Sequence, residues 1–249
     1  MLTVIIPTYN RAHMIGNAIR SLLRQLDAAE LDILVIDDGS EDGTDTFIAG
    51  LMKVHRQIRY IRQENAGVAA ARNTGLLNLL PQTEIVTFLD SDDVSPAGRF
   101  AADLPRLINN PALDLTYARM MIISELNAET LEPTLTARTA NVVSIHLSCT
   151  LMRRSLIERI GLFNTALFQA EDTDYLLRIF ESGSQFLQTD TLSLYYVRHQ
   201  GNLTRNRQEV AGYFAKAIFL SVRRRRNDPS LSLNKPSFEL QALQEMEAY

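Results

Sequence analysis

The chain has 249 residues, 46% of them hydrophobic and 22% charged, enough to bury a full-sized core in one domain or in a domain with an appendage. A net charge of −4 removes the usual electrostatic reason to expect a nucleic-acid partner, and the single cysteine, Cys149, excludes an internal disulfide framework and fits a reducing cytosol. There is no CxxC pair to suggest a thiolate zinc site, no basic-then-apolar leader, and no apolar run long enough to predict a membrane-spanning helix.

Leu2-Thr3-Val4-Ile5-Ile6 predicts a first buried strand. Met14, Ala18, Ile19, Leu22 and Leu23 then share one helical face. Ile33-Leu34-Val35-Ile36 is a second strand, followed by a helix whose apolar face is read from Phe47, Leu51 and Val54. Ile58 to Ile61 is a third strand. A small-residue helix runs from Gly67 to about Leu80 and is closed by Pro81, and Ile85 to Leu89 is a fourth strand. Strands alternating with helices over residues 1–93 imply βαβ units and a parallel sheet. In such a sheet the strand carboxyl ends share one edge, so the loops beginning at Pro7, Asp37, Asn65 and Asp90 should line one ligand crevice.

Further on, Pro96 suits the first turn of a helix reaching about Ile108, and Leu113 to Ile123 reads as a strand. Residues 124–141, polar and containing Pro133, predict a loop or hairpin over the crevice. Residues 142–152 fit strand or helix equally. Short helices follow over Arg153–Ile160 and Asp172–Glu181, stopped by Gly161 and Gly183, and Thr191–Val197 is a last strand. Val210, Phe214, Ala217, Ile218 and Val222 form an apolar stripe on a helix ending in Arg223-Arg224-Arg225-Arg226. Residues 227–249 are either a tail or a last short helix.

The acids of Asp90-Ser91-Asp92-Asp93 stand at the end of a buried strand, where uncompensated negative charge is costly. A divalent cation carrying a diphosphate is the natural counter-charge, because hard oxygen ligands suit Mg2+ or Mn2+. Asp92 is the expected direct ligand. Asp90, nearest the sheet, is assigned to a ribose hydroxyl or a metal-bound water, and Asp93 to capping the next helix. In Asp37-Asp38-Gly39-Ser40, Asp38 is placed to accept from the N–H edge of a nucleobase while Asp37 braces the loop, and Thr44 suits a helix cap. Pro7, Thr8 and Tyr9 offer a floor for a planar base, and the absence of GxGxxG and P-loop glycines removes support for a dinucleotide or NTPase fold. Arg72 is a cation for Asp38 or for a phosphate, or a purely structural ion pair. Glu171-Asp172 is by itself ordinary helix-start chemistry, and His199 by itself an ordinary polar residue after a strand. The arginine run suits a helix C-terminus and, after an amphipathic helix, also an anionic lipid surface.

Val4-Ile5-Ile6-Pro7-Thr8-Tyr9-Asn10-Arg11, Val35 to Ser40, Asn65-Ala66-Gly67 through Arg72-Asn73, and Phe88-Leu89-Asp90-Ser91-Asp92-Asp93 occur in order. Together with Ile160 to Asn164 and Glu171 to Arg178 they resemble the family 2 glycosyltransferases over about residues 2–204. That resemblance implies an α/β GT-A fold, a Rossmann-like, mostly parallel sheet flanked by helices. The transferase domain would span 1–204, with a nucleotide-binding half at 1–93 and an acceptor-side half at 94–204, and a C-terminal helical extension would occupy 205–249. It implies transfer of one sugar, with inversion, from a nucleotide-diphosphate sugar to a hydroxyl of a glycan or lipid-linked acceptor. Residue by residue it assigns Pro7, Thr8, Tyr9, Arg11, Asp38, Gly67, Arg72, Asp90 and Ser91 to the nucleotide, Asp92 and His199 to Mn2+ or Mg2+, and Asp172 to the general base. Residue 164 is Asn where the family often has Asp. The Gln-x-x-Arg-Trp motif and membrane spans of processive synthases are absent, which favours single-sugar transfer. Family analogy also implies a cytoplasmic enzyme of surface glycan synthesis; the arginine-ended helix leaves open a peripheral contact at the inner membrane face through residues 210–226, and a homo-oligomeric state is open too. Two alternatives stand beside it: a non-catalytic nucleotide-sugar-binding subunit, and a sugar nucleotidyltransferase, which would be expected to carry a Gly-rich basic loop after the first strand.

Overall fold

A computed structural model describes residues 1–143, 146–199, 201–202 and 207–237. The first half is the predicted alternation: β1 (Leu2–Thr8), α1 (Ile15–Leu23), β2 (Leu31–Asp37), α2 (Thr44–Met52), β3 (Ile58–Arg62), α3 (Val68–Leu77), β4 (Ile85–Phe88) and α4 (Arg99–Ile108). β5 (Leu115–Ile123) leads into a two-stranded hairpin, β6 (Leu126–Asn127) and β7 (Glu132–Pro133), and returns through β8 (Thr139–Val142). The ambiguous stretch resolves, within the described residues, into a 3-10 turn at Leu147–Cys149 and a short strand, β9 (Thr150–Arg153). Then come α5 (Arg154–Ile160), α6 (Glu171–Glu181), β10 (Phe186–Val197) and α7 (Arg207–Asn227). The tail expected over 227–249 falls partly outside the description, at 238–249.

The main sheet has the order β10-β5-β9-β4-β1-β2-β3, with β8 on β5. β1 pairs in parallel with both β2 and β4, so the loops after these three strands are neighbours on one edge. β9 alone in that path runs antiparallel, and through it β5 and β10 end on the same edge as β4. β1 and β2 are buried at every position, which is why they read as unbroken apolar runs. Pro7 lies inside β1, paired with Ile36, rather than opening the loop as expected.

α3 lies close on the sheet because it carries glycine where it crosses β1. A Cβ at Gly75 would stand 2.5 Å from Cγ2 of Ile5. Two helical faces differ from the periodicity reading. On α2, Ile48 enters the core while Phe47 and Val54 face solvent; the short helix presents only one turn to the sheet. On α7, Ala217 and Ser221 are buried and Phe214, Ile218 and Val222 are exposed. The β6–β7 hairpin, expected over the crevice, is strapped to α1: Arg20 donates to the Ala128 carbonyl at 2.7 Å and Arg24 to the Thr130 carbonyl at 2.9 Å.

Candidate active site

The turn after β4 carries the acids, and each is held differently. The Asp92 carboxylate meets Nε2 of His199 at 3.0 Å and lies 3.8 Å from Nε of Arg11. Arg11 in turn donates to the Gly201 carbonyl at 2.9 Å, so the loop after β1 and the segment after β10 close on the same acid. Asp93 does not cap α4, whose first turn has Gly98 at its start and no side-chain cap. Its Oδ1 accepts the Val197 N–H at 2.9 Å, one step from a two-way backbone bridge between Val94 and Tyr195. The Asp93 side chain is buried, and Oδ2 has no partner. Burial, with Asp92 and Asp90 close by, pushes its carboxyl well above the usual range.

Arg72 is the central cation. It projects from α3, only 5% of its side chain is exposed, and it donates through Nη2 to Asp90 at 2.8 Å and through Nη1 to Glu171. Of the readings open for Arg72, its ion pairs here are with Asp90 and Glu171 and not with Asp38, whose carboxylate is held by Gln63, Ala66 and Gly67 at the start of α3. A fork-shaped donor in low dielectric binds two carboxylates strongly. Here it joins the acid turn to the first residue of α6. Burial pushes the Glu171 carboxyl up, to about 7, against the pull of Arg72. Asp172, the next residue, is half-buried, and its Oδ1 accepts the Thr173 N–H at 2.6 Å. Ala170, at φ 58°, turns the chain sharply into α6 and sets the direction of both acids.

On the base side, Asp37 braces the loop as expected, accepting the Ser40 N–H at 2.8 Å and the Tyr60 hydroxyl at 2.5 Å. Asp38 accepts from Gln63 Nε2 at 2.7 Å and from the N–H groups of Ala66 and Gly67 at 2.9 and 2.8 Å. A carboxylate has about four acceptor sites, so one remains for a ligand N–H. Gly67, at φ +87°, lets its N–H face Asp38. Thr8 and Ser91 are buried, while the Tyr9 ring is 49% exposed at the mouth of the crevice. Thr44 does not act as a cap; its hydroxyl donates to Asp42 at 2.6 Å.

Sequence reading missed His146. Its Nδ1 accepts the Ser148 N–H at 3.3 Å, its Nε2 stands 3.9 Å from Asp90, and its ring meets the edge of Tyr196. No local pattern marks it: it precedes the 3-10 turn before β9, and only the pairing of β9 between β5 and β4 sets it beside Asp90. Asp90, Asp93 and His146 each present one ligand atom within 4.8 Å of the others. Carboxylate oxygen beside imidazole nitrogen, here and at Asp92–His199, is a donor set that suits Mn2+, and the buried Asp93 Oδ2 has no hydrogen-bond partner among the described residues.

Only half of the arginine run faces outward. Arg224 donates to Asp174 at 2.6 Å and to Glu181 at 2.7 Å, Arg225 lies 3.5 Å from Glu181, and both acids are buried on α6. Arg223 and Arg226 are exposed.

The mostly parallel α/β sheet flanked by helices, with acids gathered at the ends of β2 and β4 and at the start of α6, has the GT-A fold. The profile described as "Glycosyl transferase family 2" matches residues 3–161, and the chain belongs to that family. It is 34% identical over 96 residues to the minor teichoic acid biosynthesis protein GgaA of Bacillus subtilis, covering 37% of this chain and 22% of that one. The chain spans less than a quarter of the length of the curated relatives it matches first. In three dimensions it is similar to S. aureus TarS 1–349 in complex with UDP-GlcNAc, with a TM-score of 0.69 at 19% identity over 88% of this chain and 65% of that one. It is also similar to the mannosyltransferase PcManGT of Pyrobaculum calidifontis in complex with GDP-Man and Mn2+, with a TM-score of 0.64 at 24% identity over 88% and 64%.

Proposed function

We propose that this chain transfers a single sugar from a nucleotide-diphosphate donor to an acceptor hydroxyl, with inversion, in the synthesis of a surface glycan. The observation that carries the reading is the Arg72 bridge, which ties the donor-side acid Asp90 to Glu171 beside Asp172. Residues 1–204 form the transferase unit. Tyr9 and Asp38 receive the base, Asp90 the ribose, and the acids beyond it face the diphosphate. Asp92 with His199 would hold Mn2+ or Mg2+, which would supply positive charge where the diphosphate leaves.

The acceptor hydroxyl is a poor nucleophile until its proton is removed. Asp172 takes that proton as the oxygen attacks the anomeric carbon, a contribution of about 10²–10⁴-fold. The new C–O bond forms as the bond to the diphosphate breaks, and the electron pair leaves with the phosphate oxygen, so configuration inverts in one displacement. Arg72, buried between them, keeps Asp90 and the start of α6 at a fixed spacing. GgaA, named for teichoic acid synthesis, supports a surface glycan product, and UDP-GlcNAc and GDP-Man on the structural neighbours support a nucleotide-sugar donor.

Thermal-shift screening of nucleotide sugars with Mn2+, followed by transfer assays, tests the reading. Asp172→Asn should bind donor like the parent protein and turn over about 10²–10⁴-fold more slowly. If donor affinity collapses instead, Asp172 is structural or on the donor side, and stabilisation by no nucleotide sugar would overturn the whole assignment.

A further inference from the structure

α7 turns outward the face that periodicity assigns to the core. Phe214, Ile218, Phe219 and Val222 are 44%, 37%, 63% and 40% exposed. At 3.6 residues per turn the four fall within an arc of about 140°. A neighbouring arc of about 60°, carrying Ala217, Ser221 and the inward-turned Arg224, docks the helix on α6. Exposed Arg226 falls within the apolar arc, about 20° short of Phe219, and exposed Arg223 stands about 40° beyond it. The helix thus has one face bound to the protein and a second, apolar face edged by cations.

We propose that this outward face of α7 lies on an anionic lipid surface, its apolar side chains entering the headgroup–acyl boundary while Arg223 and Arg226 meet the headgroup charges. Charge selects lipid over a second copy. From Val210 to Asn227 the helix carries five cations and no acid. Two of the five are spent on α6, and between Val210 and Asn227 the helix offers the outward Arg223 and Arg226 no carboxylate, whereas anionic headgroups would supply a charge partner for each. The proposal goes beyond the transfer reading and does not depend on it.

The test is flotation of the full chain with phosphatidylcholine vesicles and with vesicles containing about 30% phosphatidylglycerol. Binding is expected to the anionic vesicles alone, and to fall with added salt. Each cation near such a surface is worth about five-fold, so Arg223→Glu with Arg226→Glu should lower partitioning by about 25-fold or more. Phe219→Asp should lower it separately. Because all three side chains are exposed, melting temperature and nucleotide-sugar binding should not change, which separates failure here from failure of the transferase reading. No binding to anionic vesicles would overturn the proposal, as would binding that both variants retain. A lipid-free dimer in sedimentation that Phe219→Asp dissolves would overturn it in favour of self-association.

Discussion

Replacing Arg224 by alanine tests whether the C-terminal helix is part of the folded core. Arg224 holds Asp174 at 2.6 Å and Glu181 at 2.7 Å, and these acids are 1% and 2% exposed. Removing one partner of a buried ion pair costs about 3–5 kcal/mol, because a charge is left in low dielectric. Asp174 keeps Arg178 at 3.2 Å, and Glu181 keeps Ser221 and Arg225. Each acid therefore loses one partner and retains another, so the lower end, about 3 kcal/mol, applies. For a chain of this size each kcal/mol moves the melting temperature by about 2–4 °C, which gives a fall of about 6–12 °C. Arg226→Ala, at an exposed position two residues on, should stay within about 0.5 kcal/mol of the parent. Thermal melts followed by far-UV circular dichroism, with denaturant midpoints as a second measure, compare the two. If Arg224→Ala melts no lower than Arg226→Ala, the carboxylates are not held by this helix and the reasoning fails.

Gly75→Ala should destabilise by about 1–3 kcal/mol although alanine favours helix, since the new methyl would meet Ile5 at 2.5 Å; a urea titration reads it. Glu171 gives a pH signature. Its folded-state pKa is raised from 4.5 to about 7, so between those values the folded chain holds a proton that the unfolded chain has released, and stability is lost as pH rises through that window. Glu171→Gln should flatten the change in melting temperature between about pH 5 and 7.5, and an unchanged slope would assign the effect elsewhere. Asp92→Asn should melt like the parent and lose Mn2+-stimulated transfer; full activity in that variant would remove Asp92 from the metal site.

β1, β2 and β4 were readable because each is buried on both faces, which leaves an unbroken apolar run between turn residues, while β3 at the sheet edge was legible as a β-branched and aromatic run broken by Arg59. Their parallel pairing then fixed which loops meet, so Asp38, Asp90 and Asp92 could be grouped before any coordinates. Contacts made across long sequence distances were not readable. The choice of Asp90 and Glu171 by Arg72, and the arrival of His146 beside Asp90, depend on β9 running antiparallel between β4 and β5, and a four-residue strand leaves too faint a pattern to predict that. α7 misled for a different reason. Its apolar stripe is real, but Asp174 and Glu181 on α6 select the side bearing Ala217, Ser221 and Arg224. Buried carboxylates outweighed hydrophobicity in orienting that helix.

The end of β10 grips the acid turn at three consecutive steps: Tyr195 through Val94, Val197 through Asp93, and His199 through Asp92. Two stretches a hundred residues apart are therefore buttoned together rather than merely adjacent. A disturbance anywhere along the last strand, even at its distant start against β5, would be delivered as a tug on the carboxylates. The aim of those oxygens is thus set by the far margin of the sheet as much as by the strand that bears them.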